Sequence, residues 1–266
     1  MKTILLFIML LFLLPHPLPA SEEYGCIRGD CSNGPGIRVF PNGSRYEGDF
    51  KEGKYSGRGT FFFANGSIYE GGYENGRFQG PGVFSYANGS RYEGDFDDGR
   101  YNGNGTLTYA NGAVYSGQFK AGEIDGQGTF TYADRSVYSG EFSHGRKEGH
   151  GIFRHADGSE YIGEFKNGYY GGQGRYIFAN GQKYSGSFEN GTFEGQGVFY
   201  YADGSRYMGG FKNGRRNGQG VYISSDGMKL SGEFKDDMFL GESVLPLEQG
   251  SRGNMKNEGG SGNRLY

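Results

Sequence analysis

Tryptophan is absent and cysteine nearly so, with two in 266 residues, Cys26 and Cys31. That is too few for a disulfide-dense scaffold, and with no further ligands beside them the pair makes a poor metal site. No basic excess exists: the formal net charge is −3, which gives no reason to expect a nucleic-acid partner. The one long apolar run, Ile4 to Leu14, falls short of the roughly 20 residues that a membrane-spanning helix needs. No helical period of apolar residues occurs anywhere, and no Gly-Lys-Ser/Thr follows glycine-rich runs such as GRFQGPG, so a phosphate loop is excluded as well.

What the chain has is glycine and aromatic rings, 54 Gly with 22 Tyr and 22 Phe, and a strict order for them. The stretch YEGDFKEGKYSGRGTFFFANGSI, residues 46–68, restarts every 23 residues at Tyr69, Tyr92, Tyr115, Tyr138, Tyr161, Tyr184 and Tyr207, and a worn copy begins at Leu230. A fixed period of this length marks an array in which each unit packs mainly on its neighbours. Counted from the leading Tyr as position 1, the unit reads Y-x-G-x-F-x-x-G-x-x-x-G-x-G-x-F-x-Y-A-N/D-G-S-x. Alternating apolar residues punctuated by glycine are strand and turn grammar. Positions 1–5 (Tyr46 to Phe50) and 14–18 (Gly59 to Phe63) are the expected strands.

Two turns set the register. Between repeats, a two-residue Asn-Gly turn would pair position 17 with the next Tyr, whereas a three-residue loop with a left-handed Gly pairs position 16 with it. Only the second sets aromatic opposite aromatic, so a type I turn with a Gly bulge is expected, strained at Arg135 where Gly belongs. Within a repeat, a loop at positions 6–11 lets 5 face 12, 3 face 14 and 1 face 16. Gly48 and Gly59 then belong to a glycine track over which neighbouring rings can lie. The fold class expected is all-β: one elongated, twisted, single antiparallel sheet with one β-hairpin per 23-residue repeat.

YEGDF followed by G-x-x-x-G-x-G resembles the MORN repeat, the membrane occupation and recognition nexus family, over nearly all of residues 24–247. The resemblance implies the same hairpin ribbon and a binding or scaffold role, because such arrays serve as protein-interaction platforms and as proposed lipid-headgroup binders.

Residues 1–20 read as a secretory signal peptide, one Lys followed by the apolar run and prolines, with cleavage after Ala20 and an uncleaved anchor as the alternative. Localisation is accordingly expected to be exported: periplasmic, envelope-associated or secreted. Residues 21–45 are a degenerate half-repeat forming an N-terminal cap, with a Cys26–Cys31 disulfide expected in an oxidising compartment. Residues 46–229 hold eight repeats, 230–247 a degenerate ninth that caps the C-terminal end, and 248–266 a glycine-rich, polar tail expected to be disordered.

Chemistry is sparse. The acidic residues recur with the repeat, at position 2 (Glu47, Glu70, Glu93) and position 4 (Asp49, Asp95, Glu141, Glu164), and read as a solvated face without a distinct catalytic pair. His144, His150 and His155 fall in one unit at positions whose spacing promises no convergence on a metal. Neither enzyme activity nor a cofactor is expected. Two surfaces are left to carry function. The first is an aromatic face of Tyr69, Phe84, Tyr92, Tyr115, Phe130, Tyr138, Phe153 and Tyr161, partly exposed unless position-10 residues fold over it, and suited to a protein partner or a second copy. The second is a basic edge at position 9, Lys54, Arg77, Arg100, Arg146 and Arg215, at a pitch that suits anionic lipid headgroups. A carbohydrate-binding module using Tyr faces is the third reading.

Overall fold

The computed structural model describes residues 24–245; the expected signal peptide and the tail at 248–266 lie outside them. Among the described residues there is no helix, and twenty antiparallel strands are assigned to one sheet. The described residues form two compact units, one comprising residues 24–89 with 96–99 and the other residues 90–95 with 100–245.

In the first unit, strands Gly25–Gly29 and Pro35–Val39 form the terminal hairpin, closed by a Cys26–Cys31 disulfide. Gly36 pairs with Gly48, so this half-repeat starts the glycine track. The first full repeat pairs Arg45–Lys51 with Lys54–Phe62. Tyr46 faces Phe61 and Gly48 faces Gly59, as the pattern requires. The second unit repeats this register: Tyr115 faces Phe130, Gly117 faces Gly128, and the worn ninth copy still forms a hairpin of Lys229–Lys235 with Met238–Leu245.

The expected loop at positions 6–11 does not exist. The turn is two residues, Glu52-Gly53, with φ of 51° and 74°, the left-handed pair of a type I′ hairpin whose twist matches that of the strands. Position 5 therefore faces position 10, not 12: Phe50 opposes Tyr55. The surplus residues, Gly57 and Arg58, form a bulge between Ser56 and Gly59. This shift places a second ring directly beside the first.

The polar positions of the repeat answer backbone groups that these irregularities leave open. Position-4 side chains accept from the bulge amide, as Gln118 Oε1 does from Gln127 N–H at 2.7 Å, Glu141 from His150 at 3.1 Å and Glu164 from Gln173 at 2.9 Å. Position-11 side chains reach the next hairpin, where Glu148 Oε2 accepts from Asn167 N–H and Glu194 Oε2 from Asn213 N–H, each at 2.9 Å. The reading of position 4 as merely a solvated face is thus corrected, since these carboxylates cap strained backbone. Between repeats, Ser67 Oγ accepts from Ala87 N–H at 3.1 Å.

Arg135 adopts φ 72° at the glycine position of its turn. An L-residue there costs about 1 kcal/mol, so Arg135→Gly should raise stability by about that amount. Thermal unfolding checks this, and an unchanged or lowered midpoint would show that the turn is unstrained.

Candidate functional site

The rings sort into an interior and a surface. Every leading tyrosine, Tyr46 through Tyr207, has no exposed area. Its hydroxyl lies over the glycine track of its own hairpin and donates to the position-4 carbonyl, as Tyr115 does to Gln118 at 2.9 Å and Tyr161 to Glu164 at 2.7 Å. Its edges meet position-5 rings of its own and the following repeat; Tyr115 contacts Phe119 at 5.1 Å and Phe142 at 5.2 Å. In five repeats the position-10 ring stacks flat on it, with centroids 3.6 to 3.9 Å apart.

This arrangement revises the expected aromatic face. Tyr69, Tyr92, Tyr115, Tyr138 and Tyr161 are core and present nothing to a partner, because the shifted hairpin register brings position 10 over them. Phe153 is buried as well, at 9% exposure, while Phe84 and Phe130 are half-buried. Burial also sets the tyrosines' acidity. It pushes the Tyr69, Tyr115 and Tyr184 phenols up to about 12 and those of Tyr46, Tyr92, Tyr138 and Tyr161 higher still, with nearby Asp49, Asp95, Glu141 and Glu164 adding to the last four.

The surface that remains is a ladder of rings at positions 16 and 18. In the first unit it runs Phe40, Phe61, Phe63, Phe84, Tyr86, with successive centroids 5.8, 4.5, 5.5 and 4.5 Å apart. In the second, Tyr109, Phe130, Tyr132 and Phe153 follow at 5.7, 4.5 and 5.7 Å, and Tyr176, Phe178, Phe199 and Tyr201 continue at 4.7, 5.7 and 4.7 Å. Position 18 was not among the expected contacts. Its signal was in the motif, as the aromatic directly before Ala-Asn/Asp-Gly. His155 takes this place in one repeat, and its Nε2 lies 2.7 Å from the Tyr170 hydroxyl; burial holds its imidazole below the usual range.

The basic-edge residues Lys54, Arg77, Arg100, Arg146 and Arg215 are all exposed. They flank the two-residue turns, where the cross-strand neighbour is Lys51 for Lys54, Glu74 for Arg77, Ser143 for Arg146 and Lys212 for Arg215. Arg77 also pairs with Asp98. The row is therefore uneven, doubly basic at Lys51 with Lys54 and at Lys212 with Arg215, neutralised at Arg77 and singly basic at Arg146.

The MORN repeat family model matches residues 32–45, 46–68, 69–91, 92–114, 115–137, 138–160, 161–183, 184–206 and 207–229. Among solved structures the chain is similar to the wild-type TCP10 domain of Danio rerio CPAP, at 16% identity over 79% of this chain and 99% of that chain, TM-score 0.43. It is also similar to the Drosophila melanogaster SAS-4 (dCPAP) TCP domain, solved in complex with a proline-rich motif, at 16% identity over 66% and 90%, TM-score 0.37. No curated protein sequence matches the chain.

Proposed function

Because the chain belongs to the MORN repeat family, we propose that it is a non-catalytic, exported scaffold that grips a protein partner along its ladder of half-buried rings. The observation that carries this reading is the ladder itself. Rings that the core does not need line up at contact distance along one face of each unit, and contiguous apolar surface of this kind is where partners bind. Export is supported by the charge and apolar pattern of residues 1–20 and by the Cys26–Cys31 disulfide, which persists in an oxidising compartment. A non-catalytic role is supported by the employment of the recurring carboxylates at positions 4 and 11 as caps for backbone amides.

Two paired variants test the ladder, Phe63→Ser with Phe84→Ser in the first unit and Phe178→Ser with Phe199→Ser in the second. The mature chain, residues 21–266, should capture a stoichiometric protein from native envelope, and one pair should lose that capture at least about tenfold, as expected for truncated anchor residues. Thermal unfolding of each variant confirms that its fold is retained. Undiminished capture by both folded variants would remove the ladder as the contact surface.

A further inference from the structure

Three repeats break the stacking rule: the one led by Tyr207 carries Arg216 at position 10, and those led by Tyr115 and Tyr138 adjoin each other. Where five repeats place a ring on the leading tyrosine, these last two place Ile124 and Lys147. The preceding repeat carries Leu107 where Phe is usual at position 16. All three narrower side chains line one groove of about 590 Å³, whose remaining wall includes Tyr101, Phe130 and Tyr132. That volume falls within the range of small-molecule sites, which are mostly apolar with a few polar groups that fix orientation.

The polar group here is an amine. Lys147 Nζ lies 4.5 Å from the Phe153 centroid, 5.6 Å from Phe165, 5.7 Å from Tyr138 and 6.0 Å from Tyr132. It is half-buried and forms no ion pair with any described carboxylate. Partly buried charges are ordinarily paired, because burial without a counter-charge costs free energy; burial indeed pulls the Lys147 ammonium below its usual range. Arg146 and His144 also line the groove. The one acidic lining residue, Glu123, stands opposite Lys120 in the strand register of its hairpin. The groove thus lies where stacked rings are missing, with a cation at its side that faces rings but no described carboxylate.

We propose that this groove binds a small aromatic carboxylate, its ring filling the space that Ile124 and Lys147 leave among the rings and its carboxylate accepting from Lys147 Nζ. A carboxylate is the group that would neutralise the amine and satisfy its donors together, in a charge-assisted hydrogen bond. The site is separate from the ladder variants at Phe63, Phe84, Phe178 and Phe199, so either reading can fail without the other.

The test is calorimetric titration of the mature chain with 2-naphthoate and with its neutral counterpart, 2-naphthalenemethanol. The acid should bind about tenfold or more tighter than the alcohol, the margin of a hydrogen bond to a charged group. Lys147→Met should erase that preference. Ile124→Phe, which installs the ring found at position 10 in other repeats and should leave the fold intact, should abolish binding of both. Equal affinity for acid and alcohol, binding that survives Ile124→Phe, or no binding of either probe to the parent chain overturns the assignment.

Discussion

Gly128→Ala is expected to destabilise the array by about 3 kcal/mol or more, at the upper end of what one added methyl costs in a packed interior. A Cβ on Gly128 would stand 2.4 Å from the Tyr115 hydroxyl oxygen, 2.5 Å from Cε2 and 2.6 Å from Cζ. Relief would require the ring to lift against the neighbours that hold it. Tyr115 is wholly buried, wedged edge-on between Phe119 and Phe142, and tied by its hydroxyl to the Gln118 carbonyl. The opposing Gly117 is no better placed, because a Cβ there would come within 2.5 Å of Gly128 Cα. Since a repeat array is stabilised by neighbour contacts, a lesion in an interior repeat should also uncouple the repeats on either side. Urea unfolding should show both an earlier midpoint and a broadened or split transition. The control is Gln127→Ala, at an adjacent exposed residue whose side chain makes none of these contacts, and it should stay within about 0.5 kcal/mol of the parent. A loss below about 1 kcal/mol in Gly128→Ala would mean that the tyrosine is free to move and that the glycine track is not obligatory.

Much of this packing was legible in the repeat itself. Pairing of position 1 with 16 and of 3 with 14 follows from requiring both turns to place aromatic against aromatic and glycine against glycine, and the register of Tyr46 with Phe61 and Gly48 with Gly59 is the result. The inner turn is harder to read, because glycines at positions 8 and 12 together suggest one long loop. Asn75-Gly76, Asn167-Gly168, Asn190-Gly191 and Asn213-Gly214 are strong two-residue hairpin signals, but Glu52, Ala121 and His144 hold the same left-handed place in other copies and mask it. With position 10 placed in a loop, cover over the leading tyrosines is only conditional, and these rings count as candidate contact surface. The half-buried ladder was then seen only through its position-16 members. The groove follows only from the corrected register, since it lies where Ile124 and Lys147 sit at a place that holds a stacked ring in five repeats.

Alkali should unfold the protein cooperatively between pH 10 and about 12. Burial raises the phenols of the leading tyrosines above their ordinary value of 10.0, to about 12 for Tyr69, Tyr115 and Tyr184. Below pH 10 these groups are neutral in folded and unfolded chains alike, and their contribution is fully present. Above it, the unfolded chain gives up protons that the folded chain retains, so the unfolded state binds fewer protons and stability falls with rising pH. The loss continues until the pH passes the folded value. Eight tyrosines occupy equivalent places, and their proton linkage acts on one array, which makes the fall steep rather than gradual. The phenolate absorbance of the leading tyrosines and the loss of the far-ultraviolet strand signal should therefore coincide in one transition. Tyr115→Phe sharpens the test. It removes one hydrogen bond, costing about 1 kcal/mol at neutral pH, yet it also removes one linked proton and so should lessen the steepness of the alkaline transition. Phenolates that form progressively while the strand signal persists would show that these rings reach solvent without unfolding, contrary to their place beneath positions 5 and 10.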